Sequence, residues 1–399
     1  MAVDLMTLME SISAENTAIQ SIFGDAYVPV RRIYARMSEA DKTVFNGRVA
    51  RALDLVEGVS TGNIAPNRLA EAMGTSDFPL LMGAAQDKIL VKAYESWPTS
   101  YRDWAKVSTV PDFRDVARYE VAGGDGTLPE VGQQSEYPAT NLTESKATFR
   151  VKKYGTRIPL SWELIKNDAL GAFADIPKRF GRAAARTEEK FATSLIVGPT
   201  GPDSTLYSTA HGNLLTDPLS AAGVQAGFAA MSGMTDAGGE PILNRPTVLA
   251  VPPALEVTAN NIVNALVIKA WTGGGGTSEQ EIETTNWIKA GGLKVAVLPY
   301  AMIIASTANG ATQWYLFADP AEGRAAVEVA HLRGHEAPAI FMKSPNAIGL
   351  SGTSASVFDG DFDTDSVQYK GRTVFGGRQG DYRFTVGSTG AGSTGAGSS

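Results

Sequence analysis

Residues 167–197 read NDALGAFADIPKRFGRAAARTEEKFATSLIV, and the rest of the chain is organised around this stretch. Apolar side chains recur in it three or four residues apart, which predicts one apolar side of a long helix. They are Phe173, Pro177, Phe180, Ala184, Phe191 and Leu195. Asn167 or Asp168 is the expected N-cap, because either side chain can accept the first free backbone N–H groups. Pro177 lies too deep for a first turn, so we expect a kink there or a restart capped by Asp175.

The opposite face of this helix carries four cations, each four residues from the last. This basic stripe consists of Lys178, Arg182, Arg186 and Lys190. Like charges at that spacing repel one another, and we expect Glu188 and Glu189 to relieve part of the repulsion. A solvated face explains the stripe, and the pattern alone favours that interpretation. A face turned toward a polyanion or an acidic neighbouring subunit is the alternative.

The composition is that of an ordinary globular protein. The chain has 399 residues, of which 43% are hydrophobic and 19% charged, enough for one large domain or two to three ordinary ones. A net charge of −7 excludes a nucleic-acid binder that relies on overall basic charge, although a local basic face remains compatible with one. The absence of cysteine excludes disulfides, thiolate metal sites and cysteine nucleophiles.

The beginning of the chain shows no targeting signal. Residues 1–16 contain Asp4 and Glu10 and lack a basic region followed by a long apolar run, which argues against a signal peptide. No stretch approaches the roughly 20 apolar residues that a membrane span needs. We therefore expect no membrane partner.

A polar segment over 123–145 lies between two strand patterns. Residues 113–121 read as extended, and Ala147, Phe149 and Val151 alternate with polar residues, as in a half-exposed strand. The two flanks predict a long β-hairpin arm.

Charges along this predicted arm are segregated. The acidic residues Asp125, Glu130, Glu136 and Glu144 come first, and the basic residues Lys146, Arg150, Lys152, Lys153 and Arg157 follow. An arm that lies on the matching surface of an identical neighbour explains this order, and so does an ordinary loop with scattered charges.

Beyond the central helix, apolar patterns alternate between helix and strand. Helices are predicted over 221–231 and 253–270, and strands over 247–251, 293–298, 313–317 and 327–332. They indicate a compact α/β lobe, followed by a strand-rich stretch over 362–386. The Gly-Ser-Thr-Gly-Ala repeats of residues 387–399 predict a disordered tail.

No motif carries convincing catalytic or metal chemistry. Asp359, Asp361, Asp363 and Asp365 alternate as in a calcium loop, but the Gly and Glu that an EF-hand requires are replaced by Thr364 and Lys370. The histidines, His211, His331 and His335, form no H-E-x-x-H motif. We predict no catalytic residue, no metal site and no cofactor.

Several stretches, taken in order, carry a family resemblance. They are SYRDWAKVSTVPDFRDVARYEV (100–121), EVGQQSEYPATNLTESKATFRVKKYG (130–155), PLSWELIKNDALGAFADIPKRFGRAAARTEEKF (159–191), LYSTAHGNL (206–214), RPTVLAVPPALEVTANNIV (245–263), WYLFADP (314–320), HLRGHEAPAIFM (331–342) and RTVFGGRQGDYR (372–383). Together they resemble the major capsid, or major head, proteins of tailed bacteriophages, which have the Hong Kong 97-like fold. The resemblance is closest to Mu-like head subunits and to capsid domains fused behind a protease.

The resemblance implies an α+β capsid fold with an N-terminal arm, an extended loop, a peripheral domain built on a long spine helix, and an axial domain. The implied divisions are a helical arm over 1–85, the first part of the peripheral domain over 86–122, the extended loop over 123–160, the spine helix and peripheral domain over 161–215, the axial domain over 216–350, closing strands over 351–386 and a flexible tail over 387–399.

The resemblance also implies the function of a major capsid protein. Such a protein self-assembles into hexamers and pentamers of an icosahedral shell that encloses double-stranded DNA. The charged residues of the extended loop become candidates for a subunit interface, and the basic stripe becomes a DNA-facing or neighbour-facing surface. Expected partners are other copies of the chain, packaged DNA, and scaffold, maturation protease, portal and cement proteins.

The resemblance implies assembly in the bacterial host cytoplasm and a final location in the virion. An encapsulin-like protein compartment is the alternative function on the same fold. An unrecognised carboxylate-dependent hydrolase is the least favoured one.

Overall fold

The structure is a computed structural model. It describes residues 87, 89–122, 130–131, 133, 143–161, 172–236, 239–272, 280–320, 324–343 and 363–392. The predicted N-terminal arm over 1–85 therefore lies outside the described residues, as do Asn167 and Asp168.

The chain forms two compact units that alternate along the sequence. The described residues of the first unit lie within 1–97, 153–185 and 332–374, and those of the second within 98–152, 186–331 and 375–399.

A short helix over 89–95 is followed by helices and strands that we number in chain order. They are α1 (Tyr101–Trp104), β1 (Lys106–Val110), β2 (Val116–Ala122), β3 (Thr143–Phe149), β4 (Lys152–Ser161), α2 (Ala172–Ser194), β5 (Val197–Gly198), β6 (Gly201–Pro202), β7 (Leu214–Leu215), α3 (Ala221–Ser232), β8 (Pro246–Val251), α4 (Glu256–Asn264), β9 (Val267–Thr272), β10 (Gln280–Thr285), α5 (Trp287–Ala290), β11 (Lys294–Val297), α6 (Ala301–Ile304), β12 (Trp314–Ala318), β13 (Val327–Leu332), β14 (Ala339–Met342), β15 (Ser366–Gln379) and β16 (Thr385–Ser388). The mixture of helices and strands confirms the predicted α+β class.

The first unit is a helix packed on a sheet. Strand β15 pairs antiparallel with β14, from Ala339↔Arg372 to Met342↔Tyr369, and also with β4. The first half of α2 lies on one side of this sheet, where Ile176 and Phe180 join a buried apolar cluster. A Cβ at Gly371 would overlap the Phe180 ring, so only glycine permits this close approach.

The second unit is built on a five-stranded sheet. The strand order is β11-β8-β12-β16-β7, with β8 and β11 parallel and β12 antiparallel to both of its neighbours. Every residue of β12 is buried, which explains why its sequence is a continuous apolar run without polar alternation. Helix α3 begins at an N-cap, Ser220, whose hydroxyl accepts from the Gly223 N–H, and Gly227 packs against the side chains of Trp314 and Leu316.

Helix α2 confirms the central prediction but not the predicted restart. It runs continuously through Pro177, and Asp175 pairs with Arg179 at 2.8 Å instead of capping a new helix. The apolar side is buried at Pro177, Phe180 and Ala184. Proline near a helix start removes one backbone hydrogen bond, and the burial of this side offsets that loss.

The helix predicted over 253–270 is too long. A 3₁₀ turn over Pro253–Leu255 leads into α4, which ends at Asn264, and the chain then enters β9, which pairs antiparallel with β10. The side-chain amide of Asn286 donates to the carbonyls of Ile262 at 2.7 Å and Ala265 at 2.9 Å. This cap comes from a distant residue, which is why local periodicity missed the helix end.

The predicted tail begins too early. Gly387 and Ser388 belong to β16, which pairs with β12 and β7, and the Gly392 N–H donates to the Thr216 carbonyl at 2.7 Å. A Cβ at Gly387 would lie 2.9 Å from the Tyr207 ring. The small side chains that suggest a linker therefore serve close packing over 387–392, and residues 393–399 lie outside the described residues.

Candidate subunit-contact surfaces

The two strands that flank the predicted arm pair with each other. β2 and β3 are antiparallel along their whole length, from Val116↔Phe149 to Ala122↔Thr143. This pairing confirms the strand patterns found in the sequence. Most of the segment that they enclose, including Asp125 and Glu136, lies outside the described residues.

A buried carboxylate anchors the base of this hairpin. Glu328 on β13 accepts hydrogen bonds from Arg118 of β2 at 2.7 and 3.0 Å, and from the Ser108 hydroxyl at 2.7 Å. Its second oxygen accepts from Arg378 of β15 at 3.1 Å. These four residues, the Glu328 anchor, tie β2 by charge-assisted bonds to β13 and β15, which pair with each other.

The Glu328 anchor is electrostatically satisfied within one chain. Burial, the largest single influence, would raise the pKa of Glu328, but hydrogen bonds from Arg118, Ser108 and Arg378 together hold the pKa below its ordinary value. The carboxylate is therefore ionised at neutral pH. An isolated charged residue in the apolar run VEVAHL was the available sequence signal for this role.

The basic half of the predicted arm is exposed. All five cations predicted there, Lys146, Arg150, Lys152, Lys153 and Arg157, are exposed. Phe149 and Val151, which alternate with them, are buried. Lys146 lies 5.8 Å from the centre of the Tyr119 ring, which is itself 64% exposed. Of the acidic set, Glu130 is exposed, and the backbone of Glu144 lies on β3. Contact with a neighbour remains a prediction for all of these residues.

The basic stripe lies on the exposed side of α2. Lys178, Arg182, Arg186 and Lys190 are each exposed. The stripe is therefore a continuous charged face of the helix, and its role remains a prediction.

Glu188 and Glu189, which we expected to relieve part of the repulsion along the stripe, do not lie on the exposed face, because both side chains are fully buried. Glu189 accepts from the backbone N–H groups of Ser100 at 2.9 Å and Tyr101 at 3.3 Å, and from the Ser100 hydroxyl. Glu188 accepts from the Tyr101 hydroxyl at 3.2 Å and lies 3.6 Å from His331 Nε2. Both glutamates fall on the helix side that carries Ala185 and Ala192, a spacing visible in the sequence.

Burial affects the protonation of this cluster. Burial is the largest influence on Glu189 and raises the pKa of its carboxyl, although the hydrogen bonds from Ser100 and Tyr101 oppose it. Burial, with the nearby Glu188 charge, also raises the pKa of the Tyr101 hydroxyl. The cluster fixes the start of α1 against α2.

The histidines and aspartates show no catalytic or metal arrangement among the described residues. His211 lies in a turn, as predicted, where Nδ1 is 3.2 Å from the Leu206 carbonyl and the ring stacks on Tyr382. Asp363 and Asp365 are exposed in a turn before β15. Within the described ranges, no group of three or more metal-binding side chains occurs. No helix in that part of the chain is long and apolar enough to cross a membrane.

Comparison with known proteins points to one family. The family model described as phage capsid protein matches residues 144–387, more than half of the chain. The match includes α2 and all but one residue each of β3 and of the sheet β11-β8-β12-β16-β7. Comparison with curated proteins finds no match.

Solved structures of low sequence identity also resemble the chain. One from Microbacterium phage Oxtober96 has 10% identity and a TM-score of 0.45, and covers 73% of this chain and 90% of that chain. The mature capsid of bacteriophage PhiM1 has 12% identity and a TM-score of 0.46, covering 73% and 87%. A virus-like particle from Pyrococcus furiosus has 12% identity and a TM-score of 0.43, covering 76% and 98%. On the family match, the chain belongs to the phage capsid protein family and is a structural protein of a capsid shell.

Proposed function

We propose that this chain is a major capsid protein that assembles into hexamers and pentamers of an icosahedral shell around double-stranded DNA. The observation that carries the proposal is the capsid family match over residues 144–387. Assembly takes place in the bacterial host cytoplasm, and the mature protein resides in the virion.

The hairpin at β2 and β3 supplies the contact between subunits in this proposal. Its base is held by the Glu328 anchor, while the cations of β3 and β4 remain exposed. A fixed base with a charged outer surface suits an arm that reaches a neighbouring copy and aligns it by charge. The acidic segment over 123–145 is the part of the arm that makes the contact.

The basic stripe faces the packaged DNA. Four exposed cations along one helix face suit contacts to phosphates, which need no base recognition. Such contacts weaken as salt is raised, because each one releases condensed counterions. A shell protein of net charge −7 needs a local basic surface of this kind to approach a polyanion.

Expression of the full chain tests the proposal. Sedimentation velocity, with negative-stain imaging of the fast fraction, is expected to find closed shells, tubes or capsomer rings. If the chain alone is monomeric, the measurement is repeated after co-expression with a scaffold, a maturation protease and a portal. A monomer under those conditions as well contradicts the proposal.

The contents of the particles separate the two kinds of shell. Nuclease-resistant double-stranded DNA inside particles purified from phage supports the capsid function. A folded enzyme as the main content, with no DNA, supports an encapsulin-like compartment instead. The double variant Lys178→Glu, Arg182→Glu is expected to form particles but to retain less DNA than the wild type.

A further inference from the structure

The buried carboxylate of Glu189 differs from that of Glu328 in its partners. Glu328 pairs with two arginines, whereas Glu189 has no cationic partner among the described residues. Its oxygens accept from the backbone N–H groups of Ser100 and Tyr101 and from the Ser100 hydroxyl. An ionised carboxylate that is buried among neutral donors keeps much of its desolvation penalty. Uptake of a proton by Glu189 removes that penalty.

The contacts with Ser100 and Tyr101 can persist when Glu189 is protonated. The two backbone N–H groups both donate to Oε2, at 2.9 Å from Ser100 and 3.3 Å from Tyr101, while the Ser100 hydroxyl contacts Oε1. A protonated carboxyl group has one O–H donor and one carbonyl oxygen. With the proton on Oε1, Oε2 still accepts both N–H groups and Oε1 donates to the Ser100 hydroxyl. The neutral group therefore makes the same three contacts without a buried charge.

The charged groups of α1 do not neutralise Glu189. Burial raises the pKa of Glu189, and the charge of Asp103 on α1 raises it further, against the opposing effect of the hydrogen bonds. Two cations of this region contact other groups. Lys294 of β11 pairs with Asp103, and Arg102 lies 5.8 Å from the centre of the Tyr101 ring. The surroundings of Glu189 therefore favour its neutral form.

A second group that can take up a proton lies beside the same contact. His331 of β13 is buried, and its Nε2 has no hydrogen-bond partner in the part of the chain that the structure describes. It lies 3.6 Å from Glu188 Oε2, the oxygen that also accepts from the Tyr101 hydroxyl at 3.2 Å. A protonated imidazole would donate from Nε2 to this oxygen. Acid therefore adds a hydrogen bond at Glu188 and removes none.

We propose that Glu189 is a proton-operated latch on Ser100 and Tyr101, which holds these residues firmly in mild acid and loosens as the pH rises. In acid, the neutral carboxyl group bonds to both residues without a buried charge. At higher pH the group ionises, and opening of the contact then lets water solvate the charge. The latch thus controls how firmly the chain is held where it enters α1. It is a contact within one chain and does not depend on the proposed shell function.

Hydrogen–deuterium exchange of the full chain tests the latch, with the peptide that contains Ser100 and Tyr101 as the readout. Exchange is measured from pH 4.5 to pH 8, and an unfolded sample of the same peptide corrects for the intrinsic effect of pH on exchange. A peptide from β12, in which every residue is buried, reports global unfolding. In the wild type, protection of the first peptide should fall as the pH rises, while protection of the β12 peptide stays unchanged.

Glu189→Gln is the matched variant, because its amide resembles the protonated carboxyl group. It offers one carbonyl oxygen to the two N–H groups and an N–H donor to the Ser100 hydroxyl. Its protection should not depend on pH and should equal that of the wild type in acid. Glu189→Ala removes the latch and should lower protection about tenfold below that of Glu189→Gln at every pH. The exposed control, Glu283→Gln, should follow the wild type.

The comparison of the wild type with Glu189→Gln decides the proposal. A wild type that loses protection relative to the Gln variant as the pH rises supports the latch. Equal protection of the two proteins at every pH overturns it, and so does a loss that the β12 peptide shares, because that loss is global unfolding. None of these outcomes requires particles to form, so they leave the shell function to its own test.

Ser100→Ala provides a second test that does not alter the carboxyl group. A hydroxyl donates more strongly to an ionised carboxylate than to a neutral group, so the Ser100 hydroxyl favours the ionised form of Glu189. Without this hydroxyl, Glu189 should stay neutral to a higher pH, and the loss of protection should move to higher pH as well. A loss that stays at the wild-type pH, or moves to lower pH, overturns the latch.

Discussion

The charges at the base of the hairpin and the charges of the basic stripe have different roles. In the Glu328 anchor, one buried carboxylate pairs with Arg118 and Arg378 of the same chain, so its charge is satisfied internally. On the basic stripe, four cations are exposed along one face of a helix. Internal pairs fix the fold, whereas exposed charge of one sign attracts something outside the subunit. Substitutions should therefore separate folding from assembly.

The largest expected effect on folding is at Glu328. Glu328→Gln removes the charge that two arginines share, so it should lower the free energy of unfolding by about 2–4 kcal/mol. Chemical denaturation of the full chain measures the loss. The exposed Glu283 provides the matched control, and Glu283→Gln should stay within about 0.5 kcal/mol of the wild type. Equal effects of the two substitutions would show that the anchor does not stabilise the fold.

The buried carboxyl groups of Glu328 and Glu189 should affect the pH dependence of stability in opposite directions. The pKa of Glu328 is held below 4.5, so its stabilising effect is complete above that pH and is lost as the pH falls through the folded-state value. The difference in free energy of unfolding between the wild type and Glu328→Gln should therefore become smaller in acid. Denaturation midpoints of both proteins from pH 3 to 7 measure this difference in stability. A difference that grows in acid would contradict a lowered pKa for Glu328.

Glu189 should show the opposite sign. Burial raises its pKa above 4.5, so the folded state holds the proton more tightly than the unfolded state. Wild-type stability should then fall, relative to that of Glu189→Gln, as the pH rises above 4.5 and the buried carboxyl group loses its proton. The same series of denaturation experiments, made with Glu189→Gln, measures this change in relative stability. A Gln variant that becomes relatively less stable over that interval would show that Glu189 is ionised by its hydrogen bonds.

The smallest expected effect on folding is on the basic stripe. Lys178→Glu with Arg182→Glu should change the free energy of unfolding by no more than about 0.5 kcal/mol, because both side chains are exposed. Particles assembled from the same variant should release their DNA at a lower salt concentration than wild-type particles do. A loss of several kcal/mol in stability would show that the stripe serves the fold instead.

Local patterns in the sequence were sufficient for elements whose signal lies within one segment. The apolar side of α2, the alternation around Phe149 and the continuous apolar run of β12 each follow from burial of one or both sides. Family resemblance supplied the fold class. The errors occurred where a distant residue decides the local structure: Asn286 ends α4, and Tyr207 packs over Gly387 in β16.

The candidate surfaces were only partly predictable for the same reason. Exposed cations were identifiable because they repeat at a helical or strand period. Glu328 was missed because its partners lie on three other strands, β1, β2 and β15.

Electron cryomicroscopy of particles assembled from the wild-type chain tests the proposed shell and the orientation of the basic stripe together. We expect a closed icosahedral shell of sixfold and fivefold clusters, with the basic stripe toward the interior. A soluble small oligomer formed in the presence of the assembly partners would contradict the proposed function.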